Sequence, residues 1–227
     1  MAIAPVLNQF TGSVASDSVA YPHNNAAGNF LVCVLRCLTS DTVTDTNNGS
    51  WARAAYQATS TTLGIGIFYY ANCKSGANTV NTTASAAPCM VLAEYSGLVL
   101  TSVLGNVAVA TGTGNTGSSG AVSTSPNANT LLIGGIENET LNGQTFTPTG
   151  GFANEIGANA IGNTFVCDQI ASSVGSYTFG GSYNGAVLLW AAAVAVFIGA
   201  AVAPISSGAG GWLNAQNDYT NKRGVEW

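Results

Sequence analysis

One pattern occurs twice in this chain at an offset of about 100 residues, and that repeat limits the folds open to it more than any other feature. Gly28-Asn29-Phe30-Leu31-Val32 returns as Ala128-Asn129-Thr130-Leu131-Leu132, and Trp51-Ala52-Arg53 as Phe152-Ala153-Asn154. Gly76-Ala77-Asn78-Thr79-Val80 returns as Gly175-Ser176-Tyr177-Thr178-Phe179, and the run Met90 to Tyr95 as the run Ala192 to Phe197. A duplicated unit built from short apolar stretches implies two similar β-rich halves, residues 28–97 and 128–199. A half of about four strands would struggle to bury its apolar face alone. The two are therefore expected to close one core in a single β-sandwich domain over residues 28–203, with about eight to ten strands. A lead segment, residues 1–27, precedes it, and an extended C-terminal arm, residues 204–227, follows.

Of the 227 residues 47% are hydrophobic and only 7% charged, so the surface has to be covered by neutral Gly, Ser, Thr and Asn. Most apolar stretches are broken at strand spacing. Residues 186–202 are the one run whose length approaches that of a spanning helix, yet they align with the strand near Met90 to Tyr95, which carries Glu94 and is too short to cross a membrane. A strand is expected there, and no membrane partner. Met1-Ala2-Ile3-Ala4-Pro5 lacks the basic start and apolar core of a secretory signal, so either the protein is made and used without export by that route or a signal has been cut away and replaced by a new Met1. The basic residues are Arg36, Arg53, Lys74, Lys222 and Arg223, leaving residues 75–221 with none. Phosphate backbones are bound by clustered Lys and Arg, so nucleic acid is not an expected ligand.

Strands are expected near residues 30–38, 52–58, 63–71, 78–83 and 89–95, and in the second half near 130–136, 151–156, 163–170, 175–180 and 186–198. Leu63, Ile65, Ile67 and Tyr69 alternate with small residues and should share one face. Residues 111–120, rich in Gly, Ser and Thr, read as a surface loop joining the halves. Cys33, Cys37, Cys73, Cys89 and Cys167 are odd in number, and Cys33 and Cys37 on one strand would lie about 13 Å apart at strand rise, beyond disulfide reach. Free thiols and a reducing cytosol are the expectation.

The order of motifs along the first half adds to this. A strand opened by Gly28-Asn29-Phe30-Leu31 leads to the turn Val43-Thr44-Asp45-Thr46-Asn47-Asn48-Gly49-Ser50-Trp51. Then come Tyr69-Tyr70-Ala71-Asn72, Ser75-Gly76-Ala77-Asn78-Thr79-Val80 and Ala93-Glu94-Tyr95-Ser96-Gly97. The series resembles a class of bacterial and phage β-sandwich modules, jelly-roll-like in form, that occur as extracellular or virion domains. The resemblance covers residues 28–199; it implies the fold and, through the virion members, a trimer, and it implies no activity. The arm falls outside it.

Candidate sites are few. His23 is the only histidine, in the turn-rich Tyr21-Pro22-His23-Asn24-Asn25, and nothing in the sequence sets it beside a nucleophile. Glu137 and Glu139 fall on one side of an extended chain, where glycosidases need a carboxylate pair, although two acids at a strand end are usually a solvated edge. Asp41, Asp45, Asn47 and Gly49 offer oxygen ligands for calcium without the full series of a calcium loop, and turn chemistry explains them without a metal. Trp51, Tyr69 and Tyr70 could stack on sugars if exposed; core packing is the simpler use. Trp212, Tyr219 and Trp227 on the arm are interface candidates, since Trp and Tyr cover large area at low entropic cost.

The chain is thus expected to be all-β, a jelly-roll-like antiparallel β-sandwich with internal duplication and an extended C-terminal arm. Its expected role is non-enzymatic: a phage virion structural protein, either a capsid decoration or a tail or fibre component, assembled in the host cytoplasm as a symmetric homo-oligomer with other virion proteins. No catalytic residue, cofactor or metal is assigned. The alternative is a secreted, extracellular carbohydrate-binding or adhesive module acting on surface glycans.

Overall fold

The computed structural model describes residues 2–6, 11–14, 16–59, 63–84, 88–127, 129–139, 144–154, 163–185 and 189–201. The first half supplies β1 (Ala4–Pro5), β2 (Thr11–Val14), β3 (Ser18–Ala20), β4 (Phe30–Cys37), β5 (Val43–Asp45), β6 (Gly49–Ser50), β7 (Ala52–Ala58), β8 (Gly64–Tyr70), β9 (Thr79–Thr82) and β10 (Cys89–Ser96). The second supplies β11 (Leu104–Gly112), β12 (Thr116–Ser123), β13 (Thr130–Asn138), β14 (Phe146–Pro148), β15 (Ala153–Asn154), β16 (Thr164–Ala171), β17 (Ser176–Tyr183) and β18 (Trp190–Ile198). Every pairing among them is antiparallel.

The all-β, jelly-roll-like sandwich with internal duplication is what the chain forms, and the duplication extends to strand order. One large sheet runs β1-β10-β4-β8-β7, with β2 also on β10, and the other β11-β18-β13-β16-β15. The small sheets run β3-β9-β5-β6 and β12-β17-β14. With β1 and β2 counted as one strand and β6 and β7 as another, the described residues of each half form eight strands, and each large sheet reads 1-8-3-6-5 while each small sheet begins 2-7-4. That is jelly-roll order, present twice. Each half therefore carries its own pair of sheets, and the total exceeds the eight to ten strands expected. The additional strands are short and polar, such as Ser18–Ala20 and Gly49–Ser50, and leave no apolar run to read. The stretch taken for a joining loop belongs to β11 and β12, with a short turn between them.

Alternation along the strands builds three apolar layers. Leu31, Cys33 and Leu35 of β4, with Phe68, Met90 and Leu92, pack inside the first jelly roll beside Trp51 and Val80. Leu132, Ile136, Phe165, Phe179 and Val194 fill the second, with Phe152 where the first half has Trp51. The opposite faces of the large sheets meet each other: Phe30, Val32, Val34, Ile65, Ile67, Val91 and Tyr95 from one half, and Leu131, Ile133, Val166, Ala193, Ala195 and Phe197 from the other. In this layer β8 lies against β13 and β18, β7 against β18 and β11, and β4 against β16. Because β4 and β13 are equivalent, as are β8 and β16, the β8–β13 and β4–β16 contacts exchange under a two-fold relation of the halves. Small residues make the approach close. A Cβ on Gly135 would stand 2.7 Å from Val34 Cγ1 and 3.0 Å from Ile65 Cγ1.

The run from Ala186 that raised the membrane question contains β18, a strand buried on both faces; among the described residues no helix is long and apolar enough to cross a membrane. None of the five cysteines is in a disulfide, and all are buried. Burial pushes the Cys37 and Cys73 thiols up to about 12 and Cys89 to about 11.

Two outcomes follow from this packing. Gly135→Ala should lower stability by about 1–3 kcal/mol through overpacking, measured by urea unfolding; an unchanged midpoint would show that the sheets do not meet at Gly135. At pH 8 a thiol reagent should label none of the five cysteines in native protein and all five in denaturant, since only exposed thiolate reacts; one fast-reacting native thiol would contradict the burial described.

Candidate functional site

Three polar clusters stand out within this apolar body, each centred on a buried carboxylate. The first is the turn after β5. Asp45 Oδ1 accepts from the backbone N–H groups of Asn47 (2.9 Å), Asn48 and Gly49 (3.2 Å). Asp45 Oδ2 accepts from Asn48 Nδ2 (2.7 Å), Trp51 Nε1 (2.9 Å) and Asn78 Nδ2 (3.1 Å). Burial works to raise this carboxyl, but the donors of Asn48, Asn78 and Trp51 outweigh it and hold Asp45 below its ordinary value. Six N–H groups aimed at one carboxylate fill the positions a calcium ion would take. Asp41 turns elsewhere, accepting from the Leu38 N–H at 2.7 Å to close the β4–β5 connection. Asp41, Asp45, Asn47 and Gly49 are thus not brought together as a ligand set, and the described residues contain no group of three or more His, Cys, Asp or Glu placed to hold a metal.

The second cluster gathers the lead-in to β4. Glu94 of β10 is fully buried, facing the first jelly-roll interior. Its Oε1 accepts from the Ala26 N–H (3.0 Å) and Asn29 Nδ2 (2.6 Å), and its Oε2 from Asn25 Nδ2 (2.7 Å), with His23 Nε2 at 2.8 Å. Burial opposes ionisation here too, and the Ala26, Asn29, Asn25 and His23 donors overcome it, so Glu94 is held below its ordinary value. The Cys73 thiol donates to the Ala26 carbonyl at 3.1 Å and is pushed up by burial and by Glu94. An activated Cys–His pair needs the reverse shift. His23 serves as one of the donors that fasten residues 23–29 to β10.

The third cluster joins the halves. Arg36 is flanked across the strands by Cys89 and Ile65, and Glu137 by Thr164 and Ala191. Arg36 Nε lies 3.2 Å from Glu137 Oε2, across the layer between the large sheets. Glu139 Oε1 accepts a hydrogen bond from the Thr59 hydroxyl, again from one half to the other. Burial pushes Glu137 up to about 7 despite the pull of Arg36, whereas Glu139 is exposed. Two carboxylates in such different settings can in principle divide acid and base roles, but Glu137 has no exposed surface and no substrate atom can reach it. At the other end of the same layer, the Tyr95 hydroxyl donates to Asp168 Oδ2 at 2.6 Å.

The sugar-stacking candidates are interior or half-buried. Trp51 is buried with its indole N–H on Asp45; Tyr69 packs between Phe30 and Phe197, with centroids 5.9 and 5.3 Å away, and Tyr70 lies beside Trp51. The large apolar side chains exposed among the described residues are aliphatic: Leu100, Val107, Val109, Ile170 and Val174. Of the cations, Arg36 serves Glu137, Arg53 bonds the Thr39 carbonyl (2.6 Å) and covers the Tyr56 ring, and Lys74 bonds the Asn47 carbonyl (3.1 Å). Trp212, Tyr219 and Trp227 lie outside the described residues. Sequence reasoning missed the roles of Arg36, Glu94 and Asp168. Their signal was present: each is a lone charge inside an otherwise apolar strand, and such a charge needs a partner.

The chain matches no protein-family model, no curated protein and no solved structure.

These carboxylates give stability a two-sided pH dependence. Asp45 and Glu94, held below their ordinary values of 3.8 and 4.5, contribute stability that is complete above those values and lost as the pH falls through the lower folded ones. Glu137 runs the other way: its folded value of about 7 lies above the ordinary 4.5, so its contribution is complete below 4.5 and lost as the pH rises to about 7. Glu137→Gln should flatten that upper decline, which in the parent protein is of order 3 kcal/mol; an identical slope in the two proteins, by denaturation between pH 4.5 and 7, would refute the assignment.

Proposed function

We propose that this chain is a non-enzymatic structural subunit of a phage virion, a capsid decoration protein or a component of a tail or fibre, that assembles as a symmetric oligomer. The observation that carries this reading is the tandem jelly roll joined through an apolar face. It makes a four-layer block in which Asp45, Glu94, Glu137 and Asp168 fasten turns and halves together. Jelly rolls build viral capsids among other assemblies. The step from fold to role is analogy, joined by the motif series that resembles virion modules.

The arm carries the assembly in this reading. Residues 204–227 dock on a neighbouring subunit or a larger scaffold with Trp212, Tyr219 and Trp227 as anchors, because indole and phenol rings are favoured where one side chain must cover much area. A trimer is the first choice of assembly. The site of assembly is the host cytoplasm, where five cysteines outside any disulfide are at home.

Sedimentation of the purified full-length chain should give a single species of several subunits, and deletion of residues 212–227 should reduce its mass. A monomeric parent protein, or a truncated one of unchanged subunit number, would overturn the arm's role. Specific retention on a glycan array would instead favour a secreted carbohydrate-binding module.

A further inference from the structure

Edge strands expose unpaired N–H and C=O groups, and folded proteins blunt them by shortness, proline, charge or bulges. Most edges here are blunted. Among the described residues β1 has two residues and ends in Pro5, β6 has two, β3 has three, and β14 three with Pro148. β7 bears Arg53 and a register shift between Arg53 and Ala55, and β12 is divided by a shift between Ser118 and Ala121. β11 is the exception. After its own shift it runs regularly from Val107 to Gly112, paired on one side with β18 and ending the large sheet on the other.

That stretch is apolar on the side that matters. Val107 and Val109 lie in rows with Ala195 and Ile133, and with Ala193 and Gly135, so they prolong the apolar layer between the large sheets. They are nevertheless 44% and 40% exposed. From Leu98 to Ser123 there is no Asp, Glu, Lys, Arg or His, in a chain whose formal net charge is −5. Two copies meeting at this edge would therefore bring no like charges together.

We propose that β11 is a self-association edge: residues 107–111 of one copy pair antiparallel with the same residues of a second, continuing the large sheet across a two-fold axis. Register is restricted, because opposite residues must share a face. Centring on Val109 sets Val109 against Val109, Val107 against Thr111 and Ala108 against Ala110, which keeps both valines of both copies on one apolar side. This contact is separate from the arm, and it rests only on that part of the reading above which has the chain assemble with itself.

The test uses the full-length protein. Val109→Cys should cross-link to its counterpart under mild oxidation, giving a dimer band on a non-reducing gel, while Val107→Cys, facing Thr111, should link far less. The native cysteines are buried and do not compete. Val109→Lys should halve the mass in solution, with an unchanged far-ultraviolet spectrum showing that the fold persists, and Val109→Thr should keep the parent mass. Deleting residues 204–227 should leave the Val109→Cys link intact, so failure of the arm's role and failure of this edge are told apart. No cross-link at Val109, equal linking at Val107, or a folded Val109→Lys protein of parental mass would each overturn the proposal.

Discussion

Everything in this molecule depends on two sheets being buried on both faces. The large sheets are the middle layers of a four-layer stack, each covered outside by its own small sheet and inside by the other large sheet. Strands in that position read as near-continuous apolar runs. Phe30–Cys37, Cys89–Ser96, Thr130–Asn138 and Trp190–Ile198 are such runs, and they account for much of a composition that is 47% hydrophobic and 7% charged. The stack closes because bulk is absent where the sheets are nearest, at Gly135 and along Ala191, Ala193 and Ala195.

An apolar layer has little directional preference, so polar contacts fix how the halves lie. Arg36 with Glu137, Thr59 with Glu139 and Tyr95 with Asp168 join one half to the other at two ends of the layer. A buried ion pair is weak evidence for stability, because desolvation offsets much of the attraction. Its value here is in position: a slip of one residue would strand Glu137 against apolar side chains with no counter-ion. Glu94 and Asp45 do the same for loops, replacing water with N–H donors around a single carboxylate.

The duplication and the long strands were legible in the sequence because doubly buried strands are apolar throughout and bounded by Gly and Asn. The small sheets were not, since strands such as Thr79–Thr82 and Thr116–Ser123 face solvent on one side and are made of the Thr, Ser and Gly that also make loops. Unusual residues could be spotted singly: His23 as the sole histidine, Glu137 and Glu139 as neighbours. Their partners could not, because Glu94 and Arg36 are far away in sequence and come near only through strand pairing in the folded chain.

Strand order also bears on how the chain is made. In each half the opening strand pairs with the closing one, β1 and β2 with β10 and β11 with β18, so neither jelly roll is complete until its last strand has been synthesised. Such distant pairings are slow to form. When residue 96 emerges, the first half can close, but Phe30, Val32, Val34, Ile65, Ile67 and Val91 still face outward, since their cover lies in a half not yet made. A nascent chain would hold that sticky face open for about another hundred residues of translation, several seconds at ordinary elongation rates. Duplication thus leaves the growing chain with an uncovered apolar face over a definable interval of its synthesis.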